Sequence, residues 1–219
     1  MKLSIILPSL RINNLDKCID SILVNSYTKP EIILVGTQEI LNSQWENCIE
    51  VEDNKCIGTT YAIQKGLERA IGEYVVTLSD DCRVAPHWDD HMIKQLDICE
   101  NKLVLGNFRV FDHTGEMPRI GYYGRQFSMF PIMRREQLKS FGDYYSQEFK
   151  AFYSDPDLGM RLHEAKGQII NCSTAFIYHV YNPDAIMENN KQRYWKKDEE
   201  TFIKKWGHLG DFKGCEEIK

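Results

Sequence analysis

Apolar positions alternate between two spacings along the first eighty residues. Leu3–Leu7 is a continuous apolar run stopped by Pro8, as a buried strand would be. Asn13 or Asn14 can cap a helix whose stripe is Leu15, Cys18, Ile19, Ile22 and Leu23. Glu31–Val35 reads as the next strand and Cys48–Val51 as a third. A helix from Thr59 or Thr60 through Ala70 is stopped by Gly72 and followed by a strand over Glu73–Leu78. This β-α-β-α-β order predicts an α/β fold built on a doubly wound, mostly parallel sheet with right-handed crossovers.

Beyond residue 80 the order loosens. Pro86 opens a helix over Trp88–Glu100, and Leu103–Phe111 is a strand. Asp112–Gly124 reads as loop, Arg125–Met133 as extended chain, and Arg135–Phe141 as a short helix closed by Gly142. Pro156 suits the first turn of a helix running to Lys166, with Gly167 beyond it. Two short strands, Ile169–Asn171 and Ala175–Val180, precede a highly charged helix over Glu188–Trp206 that carries Trp195, Phe202 and Trp206.

Composition narrows the class. At 219 residues, 42% hydrophobic and 27% charged, the chain reads as one folded domain: residues 1–100 as a first half, 101–187 as a smaller lobe and 188–219 as a helical tail. A net charge of −5 argues against broad nucleic-acid binding. Leu3–Leu7 is too short for a signal or membrane segment, and no later run approaches spanning length. The seven cysteines contain no C-x-x-C pair, which suggests reduced thiols in a cytoplasmic setting and no zinc site. The amphipathic tail leaves room for a second subunit or a peripheral membrane contact.

Three short segments carry candidate chemistry. Ser79-Asp80-Asp81 follows directly on the apolar run ending at Leu78. Ligands of open α/β sheets gather at the carboxyl ends of strands, and two adjacent acids there suit a divalent cation holding a phosphorylated ligand; an acidic surface turn is the plainer reading. Ser154-Asp155-Pro156-Asp157-Leu158 begins a helix. There Asp155 can take a proton from a hydroxyl, or Ser154 or Asp155 can simply cap the helix. His179 ends an apolar strand, either completing a metal site or bonding within the core.

The order of these segments resembles the family 2 glycosyltransferases, inverting enzymes of the GT-A fold. The resemblance runs through Ser4–Arg11, Asn54–Gly72 with Gly58, Ala62 and Gly66, Thr77–Asp81, Pro86-His87-Trp88, Pro131–Arg135, Phe141-Gly142-Asp143, Ser154–Leu162, Ala175–His179 and Phe202–Gly207. It implies a GT-A-like sheet flanked by helices, with a small acceptor-side lobe. It also implies that Asp81 and His179 ligate Mn2+ or Mg2+, that Asp155 is the catalytic base, and that Pro8, Ser9, Arg11, Gly58 and Asp80 hold a nucleotide sugar. The implied partners are that donor, UDP- or GDP-linked, and a glycan or other hydroxyl acceptor. Asp81, Asp155 and His179 are then expected around one cleft.

Five positions depart from the family pattern. Gly36-Thr37 replaces the acids that usually follow the second strand, Ser79 stands where an aspartate is common, Gln64 where an asparagine is, and Ser154 where a second acid is frequent. A non-catalytic nucleotide-sugar- or glycan-binding module on the same scaffold is the alternative that the missing acids at Gly36, Thr37 and Ser79 motivate. A nucleotidyltransferase is disfavoured, because no Lys-bearing glycine-rich phosphate loop follows the first strand. Tyr122–Phe127 is a candidate sugar-stacking stretch. Trp88 reads as packing, and the pairs Arg134-Arg135, Lys196-Lys197 and Lys204-Lys205 as solvated helix faces.

Overall fold

A computed structural model of the chain describes residues 2–42, 45–99, 102–117, 121–122, 125–142, 144–180 and 184–207, with backbone alone at 121–122 and 139–141. The first half follows the apolar rhythm closely: β1 (Leu3–Pro8), α1 (Leu15–Asn25), β2 (Glu31–Gly36), α2 (Gln38–Leu41), β3 (Cys48–Glu52), α3 (Thr59–Arg69) and β4 (Tyr74–Thr77). After it come β5 (Cys82–Val84), α4 (Trp88–Asp97), β6 (Val104–Asp112), β7 (Gly115–Glu116), β8 (Gly121–Tyr122), β9 (Arg125–Gln126) and β10 (Ile132–Arg134). The chain continues through α5 (Arg135–Phe141), α6 (Ser154–Glu164), β11 (Gln168–His179) and α7 (Ala185–Trp206).

The main sheet has the order β3-β2-β1-β4-β10-β6-β11-β5, with β7 paired to β6. Its first four strands are parallel neighbours. β10 enters antiparallel to both β4 and β6, and β6 runs parallel to β11. Side chains alternate along β1, so Leu3, Ile5 and Leu7 pack with α1 and α4 on one face while Ile6 packs with α3 on the other. Both faces are therefore covered, as a parallel sheet requires. Leu158 and Leu162 of α6 join the second face, and Phe149, Met160 and Phe202 form a small third cluster that seats α7.

The structure corrects several local expectations. The acidic turn does not lead straight to α4: Cys82–Val84 first pairs antiparallel with β11. The region 112–124 is not all loop, since β7 and β8 lie within it. Ile169–Asn171 and Ala175–Val180 belong to one strand, interrupted by a register shift between Asn171 and Phe176. The helix α6 starts at Ser154 itself, with Tyr153 in the N-cap position and no side-chain cap. Neither Ser154 nor Asp155 is spent on capping.

Candidate active site

Each candidate residue is placed by a strand end or a helix start. Pro8 and Ser9 leave β1, Asp80 and Asp81 follow β4, and Gly58 precedes α3. These chain ends, with the start of α6, enclose a cavity of about 340 Å3 lined by Pro8, Ser9, Arg11, Gly58, Asp80 and Asp155. Met129, Phe130 and Tyr145 supply apolar and aromatic wall, and Ile186 and Asn190 of α7 close one side. This is where open α/β sheets bind ligands.

Asp80 is deeply buried and held on two sides. Ser9 Oγ donates to its Oδ2 at 2.7 Å, and Arg11 Nη1 lies 2.7 Å from its Oδ1. Burial and the adjacent Asp81 charge still outweigh these partners and raise its carboxyl above the ordinary value. Arg11 also reaches Asp184, with Nε 2.5 Å from Oδ2. Asp184 caps α7 by accepting from Met187 N at 2.8 Å. One guanidinium thereby ties the start of α7 to the acid behind β4.

Asp81 lines a neighbouring cavity of about 350 Å3, which shares Leu10, Arg11 and Ile186 with the first. The antiparallel pairing of β5 with the end of β11 brings His179 to it: Val180 N donates to Asp81 O at 2.9 Å, and His179 Nε2 stands 3.3 Å from Asp81 Oδ1. Burial alone would raise the Asp81 carboxyl, but His179, Ser79 and Arg11 together hold it below the usual range. Its Oδ1 is buried without a hydrogen bond. That anionic oxygen beside an imidazole nitrogen is a donor pair suited to Mn2+ or Mg2+. Among the described residues no group of three or more His, Cys, Asp or Glu side chains could hold a metal, so a diphosphate and water would have to complete any shell.

Asp155 lines the first cavity beside Tyr145. Burial, opposed only by a backbone hydrogen bond, pushes its carboxyl up to about 7. Its neighbour Asp157 differs: it is fully buried, with Arg161 Nε at 2.8 Å, Lys205 Nζ at 2.8 Å and Trp206 Nε1 at 2.9 Å. Asp157 anchors α7, whereas Asp155 faces the cavity. The expected single cleft is thus a pair of adjoining cavities. Asp80 and Asp155 share one, Asp81 lines the other with His179 against it, and Arg11 lies between.

Other expectations resolve differently. Trp88 is a packing residue, fully buried against Phe108 with its Nε1 donating to Ser26 Oγ. Arg134 is not a solvated face: it is buried between Glu73 and Asp97 and stacks on Tyr74. Lys205 is drawn inward by Asp157. Of the aromatic stretch, residues 123–124 lie outside the described residues, and Phe127 is buried against Gly159 rather than open to a ligand. The six described cysteines are free. No helix among the described residues is long and apolar enough to cross a membrane.

Two acids that sequence reading passed over belong to this region. Asp53, at the end of β3, is buried in the cavity wall next to Gly36. It stands one strand over from the place where acids are lacking, and its signal was only its position just after a strand. Asp198 of α7 is fully buried and accepts backbone hydrogen bonds from Lys150, Ala151 and Phe152.

Comparison with known proteins agrees with this fold. No curated protein matches the sequence. The fold superposes on GalNAc-T7 in complex with UDP, GalNAc and Mn2+ with a TM-score of 0.69 at 13% identity, covering 95% of this chain and 52% of that one. It superposes on residues 1–349 of S. aureus TarS in complex with UDP-GlcNAc with a TM-score of 0.72 at 16% identity, covering 86% and 61%. On S. aureus TarS in another crystal structure the TM-score is 0.68 at 16% identity, covering 97% and 44%. The chain thus spans roughly half the length of these structures. Residues 4–154, well over half of the sequence, match the family described as Glycosyl transferase family 2, and the chain, with its GT-A sheet, belongs to that family.

Proposed function

We propose that this chain is a metal-dependent inverting glycosyltransferase that moves a sugar from a UDP- or GDP-linked donor to a hydroxyl acceptor, with Asp155 as general base. The observation that carries the reading is Asp155 itself. It faces a cavity that also contains Asp80 at the strand ends, it is not used as a helix cap, and burial pushes its carboxyl up to about 7. A carboxyl with that value is about half ionised at neutral pH and basic enough to accept a hydroxyl proton.

Asp155 takes the proton of the acceptor hydroxyl as that oxygen attacks the anomeric carbon from the side opposite the departing diphosphate, which inverts the centre. Pro8, Ser9, Arg11 and Gly58 hold the nucleotide, and Asp80 receives a ribose hydroxyl. Asp53 supplies acidic wall for the base in place of the acids missing at Gly36 and Thr37. Asp81 and His179 would hold Mn2+ or Mg2+, which offsets negative charge on the leaving diphosphate. The UDP in the GalNAc-T7 and TarS complexes favours a uridine donor.

A thermal-shift screen of nucleotide sugars with and without Mn2+ tests the reading. Saturation at about a hundred times Kd adds roughly 2.7 kcal/mol to stability, so the matching donor should raise Tm clearly. Asp81→Ala should lose the Mn2+-dependent part of that rise. Asp155→Asn should keep it while transfer falls by about a hundred- to ten-thousandfold. Donor binding without turnover by the unmodified chain, across a broad acceptor panel, would instead mark a binding module.

A further inference from the structure

The segment just before the base helix is clasped from two directions. On one side α3 holds it: Thr60 Oγ1 donates to Phe149 O at 2.6 Å and Thr60 N to Lys150 O at 3.2 Å. Gly58 allows that approach, since a Cβ there would overlap the Lys150 carbonyl. On the other side stands Asp198. Its Oδ2 accepts from Lys150 N at 3.0 Å, Ala151 N at 2.9 Å and Phe152 N at 2.9 Å, and its Oδ1 lies 3.1 Å from Lys150 N. Tyr153 then turns the chain at φ 59° into α6, and its hydroxyl lies 3.1 Å from Glu199 Oε1. Ala151, Ser154 and Asp155 emerge from this turn into the cavity.

A fully buried carboxylate is an expensive way to dock a helix. Removing the charge from water costs several kcal/mol, and apolar residues of similar volume usually stabilise as well or better. Phe202, one turn on, already seats α7 against Phe149 and Met160. Among the described residues Asp198 has no ion pair, and its charge is met by successive backbone N–H groups alone. What such an arrangement supplies, and apolar packing does not, is a fixed peptide orientation at three consecutive residues.

We propose that Asp198 is a positioning residue for transfer: by fixing the peptide groups of Lys150–Phe152 it sets where the Asp155 carboxylate meets the acceptor hydroxyl. This rests on Asp155 being the base, and it makes α7 part of the acceptor-side wall rather than an appendage. Misplacement of a reacting group by about 1 Å can cost about a hundredfold in rate. The donor, bound across the cavity by β1 and β4 ends, should hardly sense the change.

The test uses the full chain with Mn2+, following UDP release from UDP-GlcNAc, UDP-glucose and UDP-galactose, and UDP binding by calorimetry. Asp198→Asn should lower kcat at least tenfold while KM for the donor and Kd for UDP stay within about twofold. In an Asp155→Asn background the same substitution should lower turnover no further. Phe202→Leu, which loosens α7 against Phe149 and Tyr153 but leaves the Asp198 carboxylate and the three N–H groups in place, should lower Tm while costing kcat far less than Asp198→Asn does. Unchanged kcat in Asp198→Asn, an equal loss in the Asp155→Asn background, or a matching rise in KM would overturn the proposal. If Asp198→Asn does not fold, amide exchange in the unmodified chain decides: protection of Lys150, Ala151 and Phe152 N–H supports the cradle, and free exchange refutes it. Full turnover by Asp155→Asn would remove the base assignment as well, whereas its loss beside an unaffected Asp198→Asn would remove this inference alone.

Discussion

Asp155 holds a charge where the fold would rather have none. Its carboxyl is raised to about 7 by burial, against about 3.9 for a free aspartate. The native state therefore binds this proton more tightly than the unfolded chain does, and stability is lost as pH climbs through the window from about 4 to about 7. The full shift corresponds to about 4 kcal/mol, an upper bound because the side chain keeps partial contact with solvent. Asp155→Asn should accordingly raise Tm by several degrees at pH 8, with the gap closing near pH 4. Melting curves of both proteins across that range check it; an Asn variant that melts lower at pH 8 would contradict the buried, uncompensated carboxylate. At this scale the sequence was readable where an acid follows an apolar strand or opens a helix, as Asp81 and Asp155 do. Asp198 was hidden inside Lys196-Lys197-Asp198-Glu199-Glu200, which reads as a solvated face. Its spacing between Trp195 and Phe202 puts it on the helix's apolar stripe, and that was the available signal.

Among the elements, the junction of α3 with the chain before α6 is closely packed. Gly58 sits at φ 134°, a backbone region that side chains rarely adopt, and packs directly on Lys150. Gly58→Ala should destabilise by at least about 2 kcal/mol, or about 4–8 °C in Tm for a chain of this size. A thermal melt without ligand measures it, and a shift below about 1 °C would show that the junction gives way easily. Elements with a sustained period, such as β1, α1 and α3, were predicted to within a residue or two. β5 escaped because three residues give no period, and its strand character comes from pairing with β11. The start of α6 was left open between base and cap for a different reason. Ser154 and Asp155 have the composition of caps, but the left-handed turn at Tyr153 moves the cap one residue earlier and leaves both acids of the first turn for other work.

Across the whole molecule, α7 joins the two ends of the site. Its first residues meet Arg11, and through it Asp80, while its last turns hold the loop before α6 and the buried Asp157. The alternation of strands and helices revealed the parallel half of the sheet. Local pattern could not reveal that β10 inserts between β4 and β6, since strand order depends on contacts between distant segments. The family match over residues 4–154 likewise stops at the first residue of α6, short of β11 and α7.

The irregularity in β11 has a consequence for heredity as much as for geometry. Between Asn171 and Phe176 the strand advances five residues while β6 advances only two, from Asn107 to Arg109. Everything downstream, His179 included, is in phase only because of that excess. Losing a single codon within 172–175 would leave two extra residues in place of three. Wherever the pairing downstream slipped by one instead of absorbing the loss, the imidazole would turn to the opposite side of the sheet, away from Asp81, while both residues remain in the gene.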